Sequence, residues 1–227
     1  MVSGNQYFKI ARVAAFLLVI TAIIMATRLT KSENNLPNGF YTPIIALEFI
    51  QTAQEVQQFF TVKDIAAYEE DLLFGNNADY AFMLFYSTLL FFIALGILKV
   101  TRSKWMYVVM FLCVVMLLSD ALENMQIAQI ILFYKTASIV GFLCKLSIFT
   151  WLKWSSIALS FLLFAPYFLK GNWFRKIIGS LGITAFLLCV AAFLHHGILN
   201  EIFSTNIVLV FVLLVIFVFI HKKEIAH

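Results

Sequence analysis

Charge is what this 227-residue sequence has least of: Asp, Glu, Lys and Arg together make up 12% of it, about half their share in soluble domains. Apolar residues reach 63%, which leaves too few polar side chains to cover a surface facing water on all sides. A soluble enzyme is excluded. So is a nucleic-acid-binding module, because the net charge of +4 comes from short basic clusters beside apolar runs and not from one basic face. Cysteine is scarce as well. Cys113, Cys144 and Cys189 stand singly in apolar stretches with no C-x-x-C pair, so they read as small buried hydrophobes and not as a disulfide framework or redox motif. Also missing are a phosphate-binding glycine loop, a nucleophile elbow, a di-histidine metal motif, an internal repeat and a pore-like ring of charges. Nothing in the sequence calls for a cofactor.

What is abundant is the long apolar run. The 25 phenylalanines fall mostly inside such runs and not at period two, which favours membrane helices over barrel strands. The expected fold is an all-α polytopic membrane protein of about six transmembrane helices, a single integral domain over residues 1–227. Spans are expected near 10–28, 79–98, 105–122, 146–168, 177–195 and 202–220, each able to cross roughly 30 Å of hydrocarbon. The first run follows Lys9 and Arg12 as a secretory signal would, but no small-residue cleavage site follows it, so it is read as a retained span.

Orientation comes from the basic clusters. Lys9 and Arg12, then Lys99, Arg102 and Lys104, then Lys170, Arg175 and Lys176, then Lys222 and Lys223 fall in alternate connections. The positive-inside rule places all four in the cytoplasm, with both termini there and the protein in the plasma (inner) membrane. Every Asp and Glu except Glu224 then lies on the outer side or in the outer leaflet. The expected partner is the lipid bilayer, with a small-molecule or lipid ligand and no nucleic acid.

Residues 29–78 are too patterned for a plain loop and read as an outer helical cap. Pro43 suits a first helical position, and Ile45, Phe49, Ala53, Val56 and Phe60 follow at helical spacing, opposite a stripe of Glu48, Gln51, Glu55 and Gln58. A second helix is expected to start at Thr61, with Asp64 completing a capping box, and to end near Gly75. The polar stripe lacks the Lys and Arg of an interfacial anchor, which favours packing on the bundle over lying on the membrane surface. The apolar pattern of the third and fourth spans continues through 125–134 and 137–143, so that hairpin is expected to protrude and meet the cap.

The candidate site is Asp120, Glu123 and Asn124, which share one helix face near the outer end of the third span. Charged side chains in a membrane face a partner or a wet cavity, and the fourth span offers Lys145 and Lys153. Asp120 and Lys153 both fall roughly 22–25 Å above the inner interface, so they are expected to meet. A simple staple is the competing explanation, but two carboxylates plus an amide exceed what one lysine needs. Glu48 of the cap is a further candidate, and Asp79 either belongs to the same site or caps the second span, with capping the preferred reading. His195 and His196 point about 100° apart on a helix and make a poor shared metal site. Trp105, Trp151, Trp154 and Trp173 are read as interfacial or packing indoles. The function these residues suggest is binding or transport of a small or lipidic ligand at an outward-facing polar site. An enzyme acting on a lipid-linked substrate, with Glu123 or Asp120 as acid or base, and an assembly subunit are the alternatives.

Overall fold

In hydrocarbon a backbone must satisfy its own N–H and C=O groups, so long apolar runs fold as helices. The computed structural model describes residues 4–28, 36–135 and 138–220. Among them are eight helices and no strand. Six are long and apolar enough to cross a membrane: α1 (Gly4–Arg28), α4 (Ile65–Thr101), α5 (Trp105–Phe133), α6 (Val140–Phe168), α7 (Trp173–Leu194) and α8 (Ile198–Ile220). Two short helices, α2 (Pro43–Phe49) and α3 (Ala53–Phe59), precede α4. The chain is a multi-pass, all-α integral membrane protein. Residues 29–35 of the expected cap, Ala137 at the expected hairpin bend, and Lys222, Lys223 and Glu224 lie outside the described residues.

The spans form a ring in chain order. α1 packs on α4, α4 on α5, α5 on α6, α6 on α7 and α7 on α8, and α8 returns to α1. Arg12 Nε donates to the Val218 carbonyl at 2.6 Å, tying the start of α1 to the end of α8. Both ends of the described chain therefore lie at one end of the bundle, called here the terminal end, and α2 and α3 lie at the other, the cap end.

Small residues let these helices approach, because close van der Waals packing replaces the hydrophobic effect between helices in lipid. On α7 the buried positions are Ile178, Gly179, Gly182, Ala185, Cys189 and Ala192. A Cβ at Gly182 would come within 2.8 Å of the Phe161 carbonyl oxygen, so α6 and α7 touch backbone to backbone there. Phe8 of α1 fills the notch left by Gly96 of α4. Toward the terminal end, Phe161 meets Phe211 at 5.2 Å and Phe168 meets Phe217 at 5.0 Å, both edge to face. These rings and Phe164 are buried or nearly so and fill the bundle axis with hydrocarbon.

The cap departs from the sequence expectation in two places. The single helix expected from Pro43 to Phe60 breaks at Ile50, whose backbone is extended, and restarts at Thr52. There Thr52 Oγ1 accepts from Glu55 N at 3.2 Å and Glu55 Oε2 accepts from Thr52 N at 3.0 Å. This capping box satisfies the free donors of a new helix. The helix expected at Thr61 begins instead at Ile65, with Asp64 as its cap: Asp64 Oδ1 accepts from Ala67 N at 3.2 Å. It does not stop at Gly75 either. α4 runs 37 residues, roughly 55 Å, because one helical glycine costs only about 1 kcal/mol and packing outweighs it. The second cap helix and the span expected at 79–98 are one continuous rod. α5 and α6 have 29 residues each, roughly 44 Å, so their hairpin extends beyond the hydrocarbon. Tyr134 at its tip stacks on Phe60, with ring centroids 4.0 Å apart and planes 14° from parallel.

Candidate functional site

Four helices deliver the site, and the first is held in place by a clamp. The segment before α2 lies on the turn between α7 and α8, where Gly39 (φ 87°) and Gly197 (φ 102°) meet. A Cβ on Gly39 would sit 2.8 Å from Ile198 N, so glycine is required by both conformation and space. Beside them the buried Glu201 accepts from Tyr41 N at 2.9 Å, Thr42 N at 2.7 Å and Thr42 Oγ1 at 2.8 Å. A carboxylate on these N–H groups anchors the start of α2. Between one and two turns later, α2 sends Glu48 into the bundle.

There Glu48 meets a lysine. Lys153 Nζ of α6 stands 3.0 Å from Glu48 Oε2, 3.3 Å from Asp120 Oδ1 and 2.5 Å from Glu123 Oε2. An ammonium has three protons to donate, and three carboxylates face it, one from α2 and two from α5. Each carboxylate has further support. Tyr86 OH of α4 donates to Asp120 Oδ2 at 2.6 Å, Thr150 Oγ1 lies 2.9 Å from Glu123 Oε1, and Trp154 Nε1 donates to Glu48 Oε2 at 2.8 Å. On the α4 side the network continues. Asn124 Nδ2 donates to Asp79 Oδ2 at 2.8 Å, and Asn76 Nδ2 donates to the Asn124 carbonyl at 3.1 Å. The whole group therefore holds four carboxylates, one ammonium, two amides, a phenol, an indole and a hydroxyl.

Burial makes this arrangement consequential. The side chains of Glu123, Asp120, Lys153 and Glu48 are 0%, 3%, 7% and 12% exposed. Glu48, on the cap helix, is thus the most exposed of these four. Burial pushes its carboxyl above the ordinary 4.5, and the Lys153 ammonium beside it opposes that rise without cancelling it. Below the cluster the phenylalanine layer closes the bundle toward the terminal end, and above it α2 closes the cap end. What remains is a buried, acid-rich cluster roofed by the seven residues of α2.

Of the residues singled out in the sequence, Asp120, Glu123, Asn124, Lys153 and Glu48 come together here. Lys145 does not: it is exposed, two helical turns nearer the cap end of α6 than Lys153. His195 is exposed too. His196 leans on the cap, with Nε2 3.5 Å from Glu55 Oε1, Nδ1 3.3 Å from Gln51 Nε2, and its ring 5.1 Å from that of Phe40. Among the described residues no three His, Cys, Asp or Glu side chains are placed to hold a metal ion. Asp79 is corrected: it lies deep within α4 and bonds Asn124, so it is not a helix cap. Trp154 packs against Phe49 and Phe203, as a packing indole does, and also donates into the cluster.

Sequence spacing missed Tyr86, Thr150 and Asn76. Tyr86 and Thr150 stand alone in apolar runs, and no local pattern sets them apart from packing residues. Asn76 was hidden by placing a helix end at Gly75.

Fold and cluster together define a multi-pass integral membrane protein with a charged network buried between its helices and its cap. Comparison of the chain with protein-family models, with curated proteins and with solved structures finds no match in any of the three.

Proposed function

We propose that the protein binds a small ligand at the Glu48–Asp79–Asp120–Glu123–Lys153 cluster and exchanges a proton or small cation there as α2 opens and closes, in the manner of a carrier. One observation carries this reading: three carboxylates converge on a single buried ammonium, and a fourth, Asp79, joins the network through Asn124. A staple between helices needs one acid per base. Surplus negative charge in low dielectric is expensive unless a proton or another cation joins it, and such groups mark proton and ion sites in membrane proteins. Lys153 serves as the resident counter-ion, and an incoming cation or proton relieves it of one carboxylate. Glu48 couples that exchange to the roof, because α2 carries it and the Tyr41–Thr42–Glu201 clamp marks where α2 can hinge.

The same reading places the cap outside and both termini in the cytoplasm of the plasma (inner) membrane. Lys9, Arg12, Lys99, Arg102, Lys104, Lys170, Arg175 and Lys176 all gather at the terminal end, whereas Asp64, Glu69, Glu70 and Asp71 lie at the cap end. With Cys144 replaced by Ser, an impermeant thiol reagent on intact cells should label Asn77→Cys and spare Lys104→Cys. The reverse pattern would invert the topology.

Trp154 supplies the direct test of binding, since its indole donates into the cluster. Its fluorescence in the purified protein should respond saturably to at least one probe among Na⁺, K⁺ and small primary amines, with apparent affinity falling as the medium is acidified. Glu123→Gln should abolish the response. No saturable response to any of these probes, or one indifferent to Glu123→Gln, would reject the reading.

A further inference from the structure

Above the Gly182–Phe161 contact, α6 and α7 leave between them a groove of about 540 Å³. Ser147, Ile148, Trp151, Leu152 and Ser155 line it from α6, and Phe186, Cys189, Val190, Phe193 and Leu194 from α7. Its walls are apolar apart from the two serines, and Ile148, Leu152, Val190, Phe193 and Leu194 face outward from the bundle. The α6 residues that line the groove lie on the face next to that of Thr150, Lys153 and Trp154, and none of them belongs to the cluster. Its floor is aromatic: Trp151 sits 5.1 Å from Phe193 and 5.2 Å from Phe49 of α2.

Charge at the mouth says what belongs in it. Lys145, Ile148 and Leu152 repeat at three and four along one exposed stripe of α6, so Lys145 rises from the cap-end rim about one turn above the lining. His195 follows directly on Leu194, the last lining residue of α7, and is exposed as well. Lys145 has no acidic partner among the described residues. A cation and an imidazole at headgroup depth over a hydrocarbon slot are complementary to an anionic head on an acyl tail.

We propose that this groove is a specific site for one anionic phospholipid of the cap-side leaflet, its phosphate at Lys145 and His195 and an acyl chain between Ile148 and Phe193. An anionic phospholipid satisfies the exposed Lys145 at the rim and the apolar walls together, whereas an apolar helix would satisfy the walls alone. This lipid lies against Trp151, which touches Phe49 beside Glu48, and so braces the roof of the cluster from behind. The site stands on the groove and its rim alone and does not depend on the cluster exchanging protons.

Native mass spectrometry of the purified, delipidated protein with dioleoyl phosphatidylglycerol or dioleoyl phosphatidylcholine tests the site. One phosphatidylglycerol should be retained under activation that strips phosphatidylcholine. Lys145→Gln, an exposed and structurally mild change, should weaken that retention about fivefold, the worth of one lysine at a charged membrane surface. Ser155→Trp should fill the groove and remove bound lipid of either kind, and thermal stability without lipid should confirm that both variants fold. Equal retention of the two lipids, a preference untouched by Lys145→Gln, or a dimer that occupies the groove and dissolves with Ser155→Trp would each overturn the proposal. Trp154 responses to Na⁺, K⁺ and amines, measured on the same proteins without lipid, report on the cluster separately.

Discussion

Replacing Lys153 by Met removes the only ammonium from a cluster with three carboxylates within 3.3 Å of it. Each contact at these distances is worth about 5 kcal/mol of Coulomb attraction at an effective dielectric near 20, but desolvation offsets most of it. Breaking a buried pair while leaving one partner in place costs about 3–5 kcal/mol. Three stranded carboxylates do not triple this loss, because protons can replace the missing charge. Lys153→Met should therefore lower stability by about 3–5 kcal/mol near neutral pH and by less in acid. At about 2–4 °C per kcal/mol for a chain of this size, the melting temperature in detergent should fall by roughly 6–20 °C. Intrinsic fluorescence and size-exclusion chromatography after heating can follow it. Adding Glu123→Gln, which neutralises the closest and driest acid, should return part of the loss through a coupling of about 0.5–3 kcal/mol. Full recovery is not expected from any single second change, since Glu48 and Asp120 remain. A loss below about 1 kcal/mol, or strictly additive effects of the two changes, would refute the geometry of the cluster.

Other changes probe its surroundings. Because the carboxyl of Glu48 is raised above 4.5, the folded protein binds that proton more tightly than the unfolded chain. Its stabilising contribution is complete below about 4.5 and is lost as pH rises through the raised value. Glu48→Gln should accordingly raise the melting temperature near neutral pH, change little in acid, and flatten that part of the pH–stability curve; a lower melting temperature at neutral pH would contradict it. Glu201→Ala leaves two backbone N–H groups without their acceptor and should cost about 2–4 kcal/mol, with hydrogen exchange rising first in α2. Gly182→Val drives a side chain into the Phe161 carbonyl and should destabilise by about 1–3 kcal/mol, whereas Gly75→Ala meets no atom within 4 Å and should stabilise α4 slightly. Tyr134→Ala removes the stack on Phe60 and should cost about 1 kcal/mol without altering the Trp154 response.

The spans were legible because apolar length in a membrane protein is set by the bilayer, and a run such as Ile202 to Ile220 admits one interpretation. Asp120, Glu123 and Asn124 were legible for a related reason: charge among apolar residues stands out, and the helical period fixes a shared face. Lys153 could be matched in depth with Asp120 by counting residues from opposite ends of a hairpin. The cap was harder. Thr52-Ala-Gln-Glu55 is a capping box in plain view, yet the apolar stripe running through it on both sides suggested one helix. At Gly75 and Asp79 local preference for a stop lost to the packing of α4 on α1 and α5, which no window of sequence contains. Tyr86, Thr150 and Trp154 join the cluster only through tertiary proximity. Three partners for Lys153, where depth matching offered one or two, follow from α2 folding back over the bundle.

Counting protons tests the central claim most directly. In weakly buffered solution with a pH indicator, the probe cation that moves Trp154 fluorescence should be added to saturation to the purified protein. A cluster that trades a proton for a cation predicts release of about one proton per protein molecule, saturating in step with the fluorescence and absent in Glu123→Gln. Binding with no proton released, or release that persists in Glu123→Gln, would contradict the account.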